Sequence, residues 1–322
     1  LVGCGHMGKY HAAKLSAHPD VRFVGCYDID PRRSEEIASR HRTKSFSSLE
    51  LLAAEIEAAV VAVPTIEHDA CSIPLLRRGI AVLIEKPLAV NSARAREIDR
   101  AAAASGAVLQ VGHSERFSPV YRAARSRINR PGFVETHRLA PFKGRGHDVS
   151  VIYDLMIHDI DLLLDLTGSR PLDIQAAGVA VITETFDIVN ARLTFPDNCV
   201  ANVTASRISF KEMRKLRVFQ KSGYISMDLA SRELESYVLV DKNSEKANEN
   251  PSFLKFNLGD NNVIIRENID IPPGDNLEME LDSFVKAVSG LHAPLVGGQS
   301  GLAALEVAEE IENRCRQYQR NL

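Results

Sequence analysis

Cysteine is scarce and unpatterned in this chain. Five residues in 322 (Cys4, Cys26, Cys71, Cys199 and Cys315) are odd in number and scattered, with no CxxC or Cys/His ligand spacing. They read as reduced thiols of a cytoplasmic protein, and they exclude a disulfide framework. No apolar run approaches ~20 residues, so no membrane-spanning helix is expected. The net charge of -3 argues against general nucleic-acid binding. Repeats and low-complexity tracts are missing as well. The first residue is Leu, not Met, and Leu1-Val2-Gly3 resembles the tail of a strand, so a signal peptide cannot be judged. What is present is a globular composition, 45% hydrophobic and 25% charged, in a chain long enough for two domains.

Up to about residue 110, short β-branched runs at 21–28, 58–64, 80–87 and 107–113 alternate with helical stretches around 31–41, 47–55, 67–78 and 91–105. This is the βαβ pattern of a doubly wound parallel sheet. From about Phe133 the pattern changes to strand after strand with few helices, which predicts an α+β domain with a large, mainly antiparallel open sheet. In "DIVNARLTF", Val189, Ala191, Leu193 and Phe195 form a core face, while Asn190, Arg192 and Thr194 form a polar one. The stretch 241–252 is a polar loop, and helices are expected at 276–289 and 299–318. The division expected is a Rossmann domain over 1–115 and an α+β domain over 116–322.

The chain opens with "GCGHMGKYHAAKL", a GxGxxG match at Gly3, Gly5 and Gly8. Alone it is weak. Here it follows a strand remnant, opens a helical pattern, and lies 20 residues before Asp28 at the end of the next strand. Glycines let the backbone approach a pyrophosphate, the helix amino terminus offers N–H groups, and Asp28 can accept hydrogen bonds from the adenosine ribose. A carboxylate there repels a 2′-phosphate, which favours NAD over NADP, although Arg32 and Arg33 stand nearby. Glu85-Lys86-Pro87 ends a strand of the same sheet, and in open α/β sheets ligands bind at the carboxyl ends of strands.

One helix in the second part is unusual. On a wheel of about 100° per residue, "YDLMIHDIDLLLDL" (153–166) places Asp154, His158, Asp161 and Asp165 in a stripe roughly 60° wide, with apolar residues over most of the rest. So apolar a helix should be largely buried, its stripe facing water or a cleft. Asp154 and His158, at i and i+4, can meet, the carboxylate orienting the imidazole. Asp161 and Asp165 are expected to run on into solvent, and Asp159, off the stripe, needs a partner if buried. His11, His18, His41, His68 and His292 read as surface or packing residues. His113, His137 and His147 lack ligand spacing, and no metal site is expected.

Together the fingerprint at 3–8, "AVPTIEH" (62–68), "EKP" (85–87), "VGHSERFSP" (111–119) and the Asp-x-x-x-His helix at 154–158 resemble the glucose-fructose oxidoreductase and inositol dehydrogenase family, over essentially the whole chain. The resemblance implies a catalytic Lys86, Asp154 and His158. It also implies cofactor contacts from Gly3, Gly5, His6, Met7, Gly8, Asp28, Pro64, Thr65, His68, Glu85 and Lys86. It further implies hydride transfer from a sugar hydroxyl carbon to nicotinamide; whether His158 or Lys86 accepts the proton is open. One departure stands out: many members carry glycines before the Asp-x-x-x-His helix, where this chain has "DVSVIYD".

"GHSERFSP", "HRLAPFKGRGHDVSVIYDLMIHDID" and "NVTASRISFKEMRKLRVFQ" are similar to a subgroup acting on nucleotide sugars, with UDP-N-acetylglucosamine oxidised at C3. A free-polyol or inositol dehydrogenase and a non-catalytic cofactor-binding sensor are the rivals. A diphosphate needs forked donors. Arg116, Arg138, Lys143, Arg145 and Arg207 are the candidates, with Phe117 and Phe142 available to pack on a ring. A homo-oligomer, dimer or tetramer, is expected through the sheet face bearing Asn190, Arg192, Thr194, Asn202, Thr204 and Ser206.

Overall fold

The computed structural model describes residues 1–142, 144, 149–249, 255–258 and 261–320. The chain forms two compact units, Leu1–Phe117 with Gly274–Glu306, and Ser118–Pro273 with Val307–Leu322. From sequence, 274–306 belongs with the second domain; in the structure it packs with the first. The reason lies in the amphipathic helix Asn276–Val288, which buries Leu281 and Phe284 in one core with Leu1, Leu15, Ile37, Val60 and Leu83.

The first unit holds β1 (Gly25–Cys26), β2 (Lys44–Ser45), β3 (Ala58–Val61), β4 (Ala81–Glu85) and β5 (Leu109–Gly112), all paired in parallel. Val2 bridges Tyr27 on one side and Val61 on the other, joining the two strand groups. Ala81 to Ile84 are fully buried, as befits a parallel strand covered on both faces. Between the strands run α1 (His6–Ala17), α2 (Pro31–His41), α3 (Leu49–Ala53), α4 (His68–Arg77) and α5 (Ser92–Ser105). Their boundaries follow local chemistry. Asp30, Ser48 and Asn91 cap α2, α3 and α5 through side-chain oxygens, and Gly106 ends α5 at φ 71°.

The second unit begins with α6 (Pro119–Arg125) and β6 (Phe133–Leu139). A π-helical turn, Ile152–Met156, leads directly into α7 (Ile157–Thr167). Then come β7 (Asp173–Val179), β8 (Ile188–Thr194), β9 (Val200–Ser206), β10 (Met213–Gln220), β11 (Gly223–Asp228) and β12 (Glu233–Asp241). After them stand α8 (Glu245–Glu249), β13 (Lys255–Leu258) and β14 (Asn262–Glu267). The nine strands make one sheet in the order β13-β14-β12-β11-β10-β6-β9-β8-β7, antiparallel at every pairing except β6 with β9. The stretch read as a polar loop contains α8, because Ala247 packs on Val263 and Ile265 and gives that short segment a core to fold on. The helices Asn276–Val288 (α9) and Gly298–Arg320 (α10) end the chain.

Alternation decides the faces of the large sheet. Val189, Ala191, Leu193 and Phe195 are buried with Val134, Ala201, Val203, Leu216 and Val218. On the other face Asn190 donates to Thr204 Oγ1 at 2.9 Å and Arg192 to Asn202 Oδ1 at 3.0 Å, cross-strand pairs that fix register. Ser206 leaves this face: it is 1% exposed, and its hydroxyl accepts the Ile208 amide in the turn after β9. The same open face carries an aromatic ladder, with Phe219 between Phe133 (5.9 Å) and Tyr224 (5.5 Å), and Tyr224 stacked on Tyr237 at 4.6 Å. The sequence reading missed this ladder, because its rings sit on four different strands and meet only through register.

Candidate active site

The three glycines of the fingerprint have three different structural reasons. Gly3 has φ +91°, and a Cβ there would come within 2.7 Å of the Ala62 backbone. A Cβ on Gly8 would lie 2.1 Å from the Gly3 carbonyl oxygen, so the first turn of α1 can approach the strand end only without one. Nothing lies within 4 Å of a Cβ on Gly5, the cap of α1, and no side chain caps that helix. Close packing behind and open space in front of uncapped amides form a cradle that suits a pyrophosphate. His6 and Met7 are exposed on the same first turn.

Asp28 is pinned in place. Its Oδ2 accepts the Cys4 amide of the fingerprint loop at 2.7 Å, and its Oδ1 accepts the Asp30 amide at 2.9 Å. The carboxylate is thereby held at the end of β1, with lone pairs left over for a ribose diol. Arg32 and Arg33, the residues that could favour a 2′-phosphate, both reach Asp30, at 3.2 and 3.6 Å. Pro64 and Thr65 follow β3, where Thr65 starts a short 3-10 turn, Thr65–Glu67.

Lys86 rides on a turn that two histidines hold from opposite ends. The Lys86–Pro87 peptide is cis. On one side His11 donates from Nε2 to Glu85 Oε1 at 2.7 Å. On the other, His68 is buried and its ring bonds the Pro87 carbonyl at 3.0 Å and the Val63 carbonyl at 3.1 Å. Burial pushes the His68 pKa below its ordinary value, against those carbonyls. His68, bonded to the Pro87 carbonyl, and Glu85, bonded to His11, thus flank Lys86 on either side. His113 is wholly buried; its pKa falls to about 3 through burial first, then the charges of Lys86 and Arg116. At working pH it is a neutral neighbour of the lysine.

In the second unit the stripe read from sequence is not a solvent face. Asp159 and Asp161 are 3% and 1% exposed, Asp154 and His158 are half-buried, and Asp165 accepts the Tyr121 hydroxyl at 2.5 Å and Arg125 Nε at 3.0 Å. The 100° wheel also fails over residues 152–156. There the Ile157 amide reaches back five residues to the Ile152 carbonyl, the wider π turn, and α geometry begins only at Ile157. Single π turns inside helices are frequent at functional sites, and this one carries Asp154. Tyr153, on the same turn, is hydrogen-bonded to Glu312, and burial first and that carboxylate second raise its pKa.

The basic residues expected to grip a diphosphate divide sharply. Arg138 lies in β6, 3% exposed, and forks onto Asp159 through Nε–Oδ2 and Nη2–Oδ1, both 2.9 Å. It is the partner that a buried Asp159 requires. Arg207 is also buried, its Nη2 on the Val149 carbonyl and its Nε 3.7 Å from Asp187. Asp187 in turn accepts the amides of Val181, Ile182 and Thr183 at 2.7, 2.7 and 3.0 Å; burial opposes its charge, yet these bonds hold its pKa below the ordinary carboxylate value. Both arginines thus organise the protein's own interior. Arg116 is 9% exposed, and Phe117 is 0% exposed, a core residue and not a ring platform. Phe142 is 43% exposed. Lys143, Arg145 and His147 lie outside the described residues. Among the described residues no cluster of three or more His, Cys, Asp or Glu could hold a metal, and no helix is long and apolar enough to cross a membrane.

A parallel dinucleotide-binding unit with this glycine cradle, followed by a nine-stranded sheet backed by a His-bearing π/α helix, has clear relatives. Residues 1–113 match the model described as "Oxidoreductase family, NAD-binding Rossmann fold", and residues 121–226 match the "GFO/IDH/MocA C-terminal domain". The chain belongs to the GFO/IDH/MocA family of oxidoreductases. It is 32% identical over 312 residues to a UDP-N-acetylglucosamine 3-dehydrogenase of Acidithiobacillus ferrooxidans, covering 97% of this chain and 95% of that one. The solved structure of that enzyme from the same organism is similar with a TM-score of 0.88 at 31% identity, over 98% and 97% of the two chains. An inositol 2-dehydrogenase of Rhizobium meliloti is 25% identical over 336 residues, covering 96% and 94%.

Proposed function

We propose that the protein is an NAD-dependent dehydrogenase that oxidises a nucleotide sugar, UDP-N-acetylglucosamine at C3. The observation that carries this reading is the intact set Lys86, Asp154 and His158 in a chain alike over its full length to a UDP-N-acetylglucosamine 3-dehydrogenase. Gly3, Gly5 and Gly8 with the amides of His6 and Met7 would hold the pyrophosphate, Asp28 the ribose, and Pro64 and Thr65 the far wall. Bound NAD supplies the hydride acceptor. His158, oriented by Asp154, takes the proton of the reacting hydroxyl, and Lys86 donates a hydrogen bond to that oxygen as negative charge develops on it. The C–H bond breaks with its electron pair leaving as hydride, and a ketone remains. With Arg138 and Arg207 committed to Asp159 and Asp187, the diphosphate falls to Arg116, Lys143 and Arg145. The test is incubation with NAD and a panel of nucleotide sugars, inositols and free sugars, watching NADH absorbance. A UDP-sugar is expected to be turned over far better than any free polyol, and the reverse order would transfer the assignment to the inositol dehydrogenases.

Cofactor choice rests on the carboxylate of Asp28 and on the Asp30 partnership of Arg32 and Arg33. By calorimetry NAD is expected to bind more tightly than NADP, and Asp28→Ala to narrow the gap by about tenfold, since a like-charge contact worth ~1.4 kcal/mol is removed. Equal affinity of the unaltered protein for both dinucleotides contradicts this.

Assembly is proposed through the open sheet face. The aromatic ladder, the polar pairs of β8 and β9, and exposed Phe256 and Leu258 on β13 supply a broad surface of mixed chemistry. Light scattering at micromolar concentration is expected to report a dimer or tetramer, and Tyr224→Lys to shift it toward monomer. A monomeric unaltered protein would end the proposal.

A further inference from the structure

Beneath the Lys86 turn lies a polar cluster that no step above uses. Four elements contribute to it. His11 comes from α1, Glu85 from the end of β4, Gln110 from β5 and Glu280 from α9. His11, Gln110 and Glu280 are 1%, 0% and 1% exposed. The Glu85 carboxylate lies over Gly112, where a Cβ would come within 3.2 Å of Oε2, and its other oxygen takes the His11 bond. Gln110 donates from Nε2 to the Glu280 backbone carbonyl at 3.0 Å, tying α9 to the sheet. Both Glu280 carboxyl oxygens, Gln110 Oε1 and His11 Nδ1 are buried with no hydrogen-bond partner among the described residues.

Burying polar atoms this way lowers stability, and an isolated buried carboxylate most of all. Leucine at 280 would serve the core of α9 better, as Leu281 and Phe284 do beside it. Glu85 has His11 to stabilise a charge; the Glu280 carboxyl has no hydrogen-bond partner among the described residues. Burial first, and the charge of Glu85 second, raise the Glu280 pKa well above the ordinary carboxylate value, which favours its neutral acid form. A neutral polar side chain fills the space without competing with Glu85 for His11. Local cost without local gain is what functional sites show.

We propose that His11 and Glu280 are positioning residues for Lys86, acting through Glu85 in a buried polar cluster under the turn that carries it. The inference rests on the reading above, in which Lys86 meets the reacting hydroxyl. The variants are His11→Phe, Glu280→Leu and Glu280→Gln. Loss of the His11–Glu85 bond or of the polar group at 280 shifts the strand end, and an error near 1 Å in a reacting group costs up to about 100-fold. Expected, therefore, is a fall of about 10- to 100-fold in kcat for His11→Phe and Glu280→Leu, with KM for both substrates within about threefold. Glu280→Gln, neutral and of the same shape, should keep at least about half of kcat, a rescue that simple core packing would not give.

Two readouts need no sugar. Infrared difference spectra should show the C=O stretch of a protonated carboxyl at neutral pH that Glu280→Gln lacks. The rate at which acetic anhydride modifies Lys86, followed by peptide mass spectrometry, should change several-fold in His11→Phe and Glu280→Leu but not in Glu280→Gln. If no sugar in the panel were oxidised, the functional reading would fail, and the labelling rate would still decide the positioning role. Unchanged labelling in both disruptive variants, or a Glu280→Gln variant as impaired as Glu280→Leu, overturns the inference.

Discussion

Arg138→Met is expected to cost the protein about 3–5 kcal/mol of stability, because it removes the forked, buried guanidinium partner of Asp159, itself 3% exposed. For a unit of this size that corresponds to a fall in Tm of roughly 10 °C or more, read by differential scanning calorimetry. Adding Asp159→Leu should recover most of the loss, since two apolar side chains in place of a buried pair are close to neutral. Dinucleotide affinity should stay put, because the glycine cradle and Asp28 belong to the first unit. The experiment separates two roles for the same arginine. A diphosphate ligand at position 138 would raise KM for the nucleotide sugar and leave Tm alone. The fork onto Asp159 at 2.9 Å through both contacts is the reason to expect the opposite.

The chemical step gives the other large effect. Lys86→Met and His158→Asn are each expected to lower kcat by about 10²- to 10⁴-fold, the usual contribution of a positioned proton acceptor or charge-stabilising donor. That corresponds to about 3–5.5 kcal/mol of barrier. NAD affinity by calorimetry should change by less than about threefold, and the double variant should be little worse than the poorer single one, because groups acting on one oxygen are not additive. Single-turnover NADH formation is the measurement. A variant at position 158 with kcat within a few-fold of the unaltered protein would remove His158 from the reaction.

Much of the first unit was legible because its constraints are local. Gly3, Gly5 and Gly8 announce a backbone that must pass close to itself and to a ligand, and the structure shows the contacts a Cβ would make at Gly3 and Gly8. The helical stretches around 31–41, 47–55 and 91–105 were legible too, while their caps Asp30, Ser48 and Asn91, each two or three residues from the amide it accepts, came only with the structure. The second sheet was legible from alternation, which told buried from open faces at Val189, Ala191 and Leu193. Two readings went astray in instructive ways. Asp161 and Asp165 are expected from sequence to carry the stripe on into solvent, yet Asp161 is buried and Asp165 serves Tyr121 and Arg125. The segment 274–306 was assigned by its place in the chain, whereas its apolar residues found the first core.

By itself the sequence determined the order of most elements, the alternating faces of the large sheet and the glycine fingerprint of the first unit, because periodicity and glycine placement act over a few residues of chain; Lys86, Asp154 and His158 it nominated through family resemblance. Only the tertiary structure decided which group faces which. Arg138 finds Asp159 across 21 residues, His11 finds Glu85 across 74, and Gln110 finds the carbonyl of Glu280 across 170. A hydrophobic pattern states that a side chain is inside, but not its partner, and for a buried polar group the partner sets its charge, its cost and its role.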